Sequence, residues 1–274
     1  MRAYSLAYLT SSTLTPPQAI RLAAELGYQF VGLRLQPNVP GAPQQMLIGQ
    51  PDILRETLAA MRETGVGVFD IEIIRLSADV QLATYLPLLE AGAALNAKAV
   101  LVAGDDINSA RLADNYARLC DMMAPFGLTA DLEFMPWTAV PNAQSAMQIV
   151  NAAGNPDNAG ILIDAIHFAR SNTTLDDIRA IPTRLLHYAQ ICDAPANVPP
   201  EQLFTVEELV HAARCERLLP GEGIIDLNSL FATLPADLPV SVEIPHHLRL
   251  SLVSQTEWAR SALAASQIVS RSVS

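Results

Sequence analysis

Two periods of hydrophobic residues alternate along the chain. Short runs rich in apolar or β-branched residues predict strands, and the longer segments between them, with apolar residues every three or four positions, predict helices. The predicted strands span Tyr4–Leu9, Phe30–Leu35, Val66–Ile74, Ala99–Ala103, Thr129–Met135, Gly160–Ile166, Leu185–Ile191 and Val240–Ile244. Strands that alternate with helices favour parallel pairing through right-handed crossovers, and eight such units favour a closed barrel.

Start and stop signals support the predicted helices. Pro16–Gly27 opens on two prolines and closes on a glycine, and Asp52–Gly65 begins with an aspartate expected to cap the helix. Asn108–Gly127 follows the same scheme, and Thr174–Ala180 begins with a threonine ahead of two aspartates that suit a helix N-terminus. The prediction is an α/β protein, a single (β/α)₈ TIM barrel domain over residues 1–274.

An open, doubly wound sheet is the alternative arrangement of such units. That fold would want a glycine-rich phosphate loop after its first strand, and the residues there read TSSTLTPP. Two connections, Pro37–Pro51 and Asp193–Asp226, are longer than a minimal loop, and the second contains a short helical stretch before LLPGEG. Loops of this length in a compact fold are often functional or lid-like.

Composition narrows the possible partners and location. Half of the 274 residues are hydrophobic and 16% are charged, which supports a large core. A net charge of −11 repels nucleic acids and anionic membranes, so neither is an expected partner. The apolar stretch at the N-terminus is short and broken by polar residues, so we expect no signal peptide. No apolar run reaches the ~18 residues that span a bilayer. The cysteines, Cys120, Cys192 and Cys215, lack paired spacing, so we expect a reduced, cytoplasmic protein.

Candidate chemistry lies at the C-terminal ends of strands, where barrels build their active sites. Four consecutive strands each place one oxygen-bearing side chain there: Glu133, Asp164, Gln190 and Glu243. Carboxylates converging on one barrel mouth repel each other unless a cation holds them. The oxygen-rich set favours one divalent metal, Mn²⁺ or Mg²⁺, and leaves Zn²⁺, Co²⁺ or Fe²⁺ open. The alternative is that each acid pairs with an arginine or caps a helix.

The order of these motifs resembles the xylose-isomerase-like barrels, a superfamily that includes ketose 3-epimerases, hydroxypyruvate isomerases, inosose dehydratases and endonuclease IV. LEFMPW, LIDAIHFARS, HYAQICD and SVEIP are similar to the family's site motifs, and RLLPGEG is similar to its Arg-x-x-Pro-Gly-x-Gly loop. Gln190 stands where many members carry a metal-binding histidine, a departure shared by hydroxypyruvate-isomerase-like members. A nuclease is disfavoured because the chain is acidic and has only five histidines.

The resemblance implies an isomerase or epimerase acting on a carbohydrate, a sugar phosphate or a hydroxy-keto acid. It would remove a proton next to a carbonyl through a metal-stabilised enediolate. Glu133 and Glu243 would be both metal ligands and the catalytic acid/base pair, while Asp164 and Gln190 would be mainly structural ligands. The residues expected to contact substrate are His167, Arg217, Glu72 and Trp137.

Each of these assignments has a structural alternative. His167 could be a core histidine, and Arg217 could be a surface arginine. Glu72 could simply pair with Arg34 or Arg75, and Trp137 could be packing at the barrel mouth. The same metal chemistry could also expel water, which would make the protein a dehydratase of inosose or 3-dehydroshikimate. A barrel that binds metal or sugar without catalysis is a further alternative. Members of the family often form dimers or tetramers, so a homo-oligomer is expected.

Overall fold

Eight parallel strands close into a barrel in sequence order. The computed structural model describes residues 2–37, 41–196 and 204–272, with the side chains of the last helix described to residue 269. The strands are β1 Tyr4–Leu6, β2 Phe30–Arg34, β3 Gly67–Leu76, β4 Ala99–Gly104, β5 Thr129–Glu133, β6 Ala159–Asp164, β7 Ala189–Ile191 and β8 Val240–Val242. Strand β8 pairs with β1 and completes the circle. The predicted (β/α)₈ TIM barrel is confirmed.

Helices surround the barrel and bury its outer face. Their bounds are α1 Pro16–Leu26, α2 Pro51–Thr64, α3 Leu86–Ala94, α4 Ser109–Met123, α5 Ala143–Ala152, α6 Ala165–Arg170, α7 Leu175–Arg179, α8 Val206–Cys215, α9 Leu227–Ala232, α10 His247–Leu250 and α11 Gln255–Ser272. Strand residues such as Val100 and Val102 and helix residues such as Leu119 belong to one buried apolar cluster. No helix in the described part of the chain is long and apolar enough to cross a membrane.

Several strands are shorter than their apolar runs predicted. Strand β1 stops at Leu6 because Tyr8–Thr10 forms a 3₁₀ turn, and β7 begins only after another such turn at Thr183–Leu185. Strand β6 stops at Asp164, whose side chain accepts the backbone N–H of Ile166 and begins helix α6. Apolar runs continue past the strands because the turns beyond them are buried too.

The helix starts agree with the capping signals except at α2. Asn108 caps α4 and Thr174 caps α7, each through a side-chain oxygen that accepts a backbone N–H. Helix α2 instead begins at Pro51 with Gln50 as its N-cap, so the predicted capping role of Asp52 is wrong. Proline suits the first helical position because its missing N–H would have no intrahelical partner there.

Asp193, just after β7, organises the loop that follows α8. Its buried carboxylate accepts backbone N–H groups from four residues at 2.8–3.0 Å: Ala194, Gly221, Gly223 and Ile225. A Cβ on Gly223 would clash with Asp193 and with the carbonyl of Ala194, which explains the glycine. This anchoring fixes the segment that begins at Arg217. Residues 197–203 of the long connection, like 38–40 of the earlier one, lie outside the described residues.

Asp131 and His187 form a polar pair inside the barrel. Asp131 of β5 is fully buried, and its Oδ1 lies 2.8 Å from Nδ1 of His187. Thr129 donates its hydroxyl to the other carboxylate oxygen at 2.6 Å. Gly160 leaves room for the pair, because a Cβ there would clash with both side chains. The pair therefore fills barrel interior, and neither residue lines the cavity at the barrel mouth.

Substituting Asp193 tests the loop anchor. We expect Asp193→Ala to lower the free energy of unfolding by about 2–4 kcal/mol, because four backbone N–H groups lose their acceptor. The matched control is Asp226→Ala, which removes only the cap of α9 at Ser229 and should cost about 1 kcal/mol. Urea unfolding of both variants gives the comparison. Equal losses would show that Asp193 does not anchor the loop.

The His187–Asp131 pair predicts a pH-dependent stability. Burial disfavours the imidazolium, but the hydrogen bond and charge of Asp131 outweigh it and raise the pKa of His187. The stability from a raised pKa is fully present below the unfolded value of about 6.5 and is lost as pH rises through the folded value. We expect wild type to exceed His187→Gln in unfolding free energy by more at about pH 6 than at about pH 9. A pH-independent difference would contradict this.

Candidate metal centre and active site

The four predicted ligands lie at the C-terminal end of neighbouring strands. Glu133 ends β5, Asp164 ends β6, Gln190 lies in β7, and Glu243 directly follows β8. Asp164 and Gln190 are Cα partners across β6 and β7, and the N–H of Glu243 bonds the carbonyl of Ile191 in β7. Each of the four residues is at most 4% exposed. The barrel therefore brings three carboxylates and one amide into one buried region.

Arg217 bridges two of these carboxylates. Its Nη1 lies 2.6 Å from Oδ2 of Asp164, and its Nη2 lies 3.0 Å from Oε2 of Glu243. Its Nε donates to the carbonyl of Ala213 at 2.6 Å, and only 2% of the residue is exposed. The alternative that Arg217 is a surface arginine is wrong. It also lines the cavity above the site, so its predicted contact with substrate stays a prediction.

The alternative to a metal site was that each acid pairs with an arginine or caps a helix. Asp164 does both, since it pairs with Arg217 and caps helix α6. Burial opposes its ionisation, but the charge and hydrogen bond of Arg217 and the N–H of Ile166 together lower its pKa. Asp164 is therefore ionised at neutral pH. Both of its oxygens accept hydrogen bonds, which fixes its orientation toward the other acids.

The pKa values of Glu133 and Glu243 are raised, whereas that of Asp164 is lowered. Burial, then the charges of Asp164 and Glu243, raise the pKa of Glu133 well above its usual range, although Arg217 opposes this. Burial also raises the pKa of Glu243 to about 8, with Arg217 lowering it and Asp164 and Glu72 adding to it. Glu243 has Arg217 as its partner, but among the described residues the side chain of Glu133 has no hydrogen bond. A buried glutamate in that position favours a proton or a cation beside it.

His167 faces the acids from the first turns of α6. Its Nε2 lies 3.7 Å from Oε1 of Glu133 and 3.9 Å from Oδ2 of Asp164, and its ring meets Trp137 edge-on at 4.9 Å between centroids. Burial lowers its pKa to about 4, so the imidazole is neutral near pH 7. It is buried as the core alternative requires, but it is directed at the candidate ligands.

The donor set fits a divalent cation. One donor atom from each of Glu133, Asp164 and His167 lies within 4.8 Å of the other two. The side-chain oxygen of Gln190 is buried and lacks a hydrogen-bond partner among the described residues. An unpartnered amide oxygen beside under-compensated carboxylates is the environment that a hard cation would satisfy.

A cavity of about 430 Å³, counting its opening to solvent, is lined by Glu133 and Glu243, whereas Asp164 and Gln190 lie outside its lining. All four predicted substrate contacts line it: Glu72, Trp137, His167 and Arg217. Glu72 also accepts a hydrogen bond from Arg34 at 2.9 Å, so the pairing alternative holds for it as well. The remaining lining residues include Arg34, Arg75 and Arg214. None of these three arginines was predicted from the sequence to contact substrate.

The sequence carried a usable signal for Arg34 and for two buried acids, Asp70 and Asp131, that do not line the cavity. FDIEI and TADLEF each place two acids two positions apart, so Asp70 accompanies Glu72 and Asp131 accompanies Glu133 on one strand face. Asp70 is 3% exposed, and burial followed by the charge of Glu72 raises its pKa well above the usual range. Arg34 is the last residue of β2 and satisfied the rule of ionisable residues at strand ends.

Known proteins share this fold and parts of this sequence. The inosose isomerase of Bacillus subtilis (strain 168) is 27% identical over 158 residues, which are 54% of this chain and 51% of that protein. The chain thus spans about half the length of the curated relatives it matches. The zinc-bound IolI protein has a TM-score of 0.77 at 18% identity over 99% of both chains.

A D-allulose 3-epimerase from Methylomonas sp., solved with D-allulose, has a TM-score of 0.70 at 17% identity over 97% of this chain and 96% of that chain. At these identities the two solved structures support the fold alone. The family described as xylose isomerase-like TIM barrel matches residues 20–267, which is most of the sequence. This chain therefore belongs to the xylose isomerase-like TIM barrel family.

Proposed function

We propose that this protein is a divalent-metal-dependent isomerase or epimerase of a carbohydrate, a sugar phosphate or a hydroxy-keto acid. The observation that carries the proposal is the pair of buried glutamates with raised pKa, Glu133 and Glu243, beside Asp164 and Gln190. The similarity to inosose isomerase supports this reaction class. That name describes an isomerisation.

The metal ligands in this proposal are Glu133, Asp164, Gln190 and Glu243. Four oxygen donors favour Mn²⁺ or Mg²⁺, and the zinc of the IolI structure makes Zn²⁺ the first alternative. When bound, the cation supplies a Lewis acid for the oxygen charge that develops as a proton leaves the neighbouring carbon. Gln190 is included because its oxygen is buried without a partner and its Cα is paired with that of Asp164.

Glu133 and Glu243 transfer the proton in this proposal. They project from strands three positions apart around the barrel, so a substrate carbon between them would meet one carboxyl group on each side. One takes the proton and the other returns it. Arg217 fixes Glu243 through Oε2 and leaves Oε1 without a hydrogen bond among the described residues. A fixed carboxyl group with a free oxygen suits a general acid or base.

The surrounding residues would position the substrate. Neutral His167 would donate to a substrate oxygen, and Trp137, in edge contact with it, would form an apolar wall. Glu72, held by Arg34, would accept from a substrate hydroxyl. This arrangement keeps the reacting carbon over the glutamates and excludes water from one side.

A non-catalytic binding barrel is the second candidate, and the bridging of Asp164 and Glu243 by Arg217 is what favours it. In such a protein the arginine would compensate the acids permanently, and no proton would be transferred. Glu133 argues against this candidate, because its carboxylate has neither an arginine partner nor a hydrogen bond in the described residues.

Solvent exchange tests the two-glutamate proposal. Ketose substrates and hydroxypyruvate are incubated in D₂O with the Mn²⁺-loaded protein, and deuterium is measured at the carbon next to the carbonyl. We expect Glu133→Gln and Glu243→Gln each to lower exchange and turnover at least about 100-fold, because each removes one proton carrier. Glu56→Gln on the outer helix α2 is the control and should leave both rates unchanged.

Three outcomes would contradict the proposal in distinguishable ways. Native rates in both glutamine variants would exclude the two-glutamate mechanism. A product lighter by one water molecule would make the protein a dehydratase. Absence of any exchange in the metal-loaded wild type would favour the non-catalytic barrel.

A further inference from the structure

The cavity over the metal centre has an arginine-rich side. Arg34, Arg75, Arg214 and Arg217 all line it. Three of these have carboxylate partners: Arg217 as described above, Arg34 with Glu72 at 2.9 Å, and Arg75 with Asp105 at 2.7 and 2.8 Å. Within the described ranges, Arg214 has neither a carboxylate partner nor a hydrogen bond. One guanidinium at the cavity wall is therefore uncompensated.

The position of Arg214 suits a group that binds a ligand. It lies in the last turn of α8, three residues before Arg217, and it is half-buried. Burial and then the positive charges of Arg34 and Arg75 lower its pKa, so the three guanidinium groups are close neighbours. Three clustered cations repel each other, and an anion among them would remove that repulsion.

Arg34 lines the same cavity. Its guanidinium lies over the ring of Tyr8, with Cζ 4.5 Å from the ring centroid, and its Nη2 donates to Glu72. Its Nε is buried, so an anion in the cavity would meet Nη1, for which the described part of the chain offers no hydrogen-bond partner. Arginine binds carboxylate and phosphate oxygens through such N–H groups.

The balance of charges around the cavity also favours an anionic ligand. The acids near the barrel axis are engaged by Arg217 and, in the proposed function, by a cation that adds two positive charges. Glu72 is paired with Arg34, and Asp105, which lies outside the cavity lining, is paired with Arg75. Arg214 then remains as an excess positive charge in a protein whose net charge is −11. A neutral polyol would leave this charge unbalanced, whereas an anionic substrate would balance it.

We propose that Arg214, together with Arg34 and Arg75, binds an anionic group, a carboxylate or a phosphate ester, at the end of the substrate remote from the reacting carbonyl. This inference rests on the proposed function, because it assumes that the hydroxy-ketone end of the substrate lies at the metal centre. It narrows the substrate class to hydroxy-keto acids and sugar phosphates, and it makes these arginines specificity-determining residues.

Three probes that share a hydroxy-ketone and differ at the other end test this. Dihydroxyacetone is neutral there, hydroxypyruvate carries a carboxylate, and dihydroxyacetone phosphate carries a phosphate ester. Isothermal titration calorimetry measures the Kd of each for the Mn²⁺-loaded protein. We expect at least one anionic probe to bind about tenfold or more tightly than dihydroxyacetone. The tighter of the two anionic probes identifies the anionic group.

Arg214→Gln should remove most of that preference while leaving the Kd of dihydroxyacetone unchanged. Because Arg214 has no partner in the described structure, the variant should melt at the wild-type temperature by circular dichroism. Arg62→Gln, an exposed arginine on the outer helix α2, is the matched control and should keep the preference. Equal binding of all three probes by wild type, or an undiminished preference in Arg214→Gln, would overturn the inference.

The two measurements distinguish failure of the proposed function from failure of the anion site. If deuterium exchange is absent but the calorimetric preference for an anionic probe depends on Arg214, the anion site stands and only the catalytic proposal fails. If neutral ketoses exchange deuterium and wild type shows no anionic preference, the catalytic proposal stands and this inference fails.

Discussion

The structure depends on how three buried carboxylates at one end of the barrel are compensated. Charges taken out of water are costly unless they are paired and hydrogen-bonded, and parallel strands β5, β6 and β8 bring Glu133, Asp164 and Glu243 together. Arg217 compensates Asp164 and Glu243 directly. The loop that carries Arg217 is in turn fixed by Asp193. The compensation is incomplete at Glu133, and this incompleteness is the physical reason to expect a cation.

The cavity joins two electrostatically different halves. Near the barrel axis, acids and an unpartnered amide oxygen suit a divalent metal. Toward the rim, Arg34, Arg75 and Arg214 suit an anion. A substrate that spans both halves would present its carbonyl oxygens to the metal and its charged end to the arginines. In this proposal, a few arginines at the cavity wall would select an anionic substrate.

Local sequence patterns predicted the fold and the four candidate ligands because both follow from short-range rules. Apolar runs of strand length mark the barrel strands, and acids at their ends mark the active-site face. The contacts of Arg217 with Asp164, 53 residues away, and of His187 with Asp131, 56 residues away, arise only when the barrel closes. The cluster around Arg214 has the same origin, since its members come from β2, β3 and α8.

Anomalous diffraction from crystals of the Mn²⁺-loaded protein tests whether the four residues bind a metal. We expect one strong manganese peak bounded by oxygens of Glu133, Asp164, Gln190 and Glu243, with His167 beside it and not bonded to it. A peak ligated by His167 in place of Gln190 would revise the ligand set. No manganese peak at these residues, with Arg217 still bridging Asp164 and Glu243, would contradict the metal centre altogether.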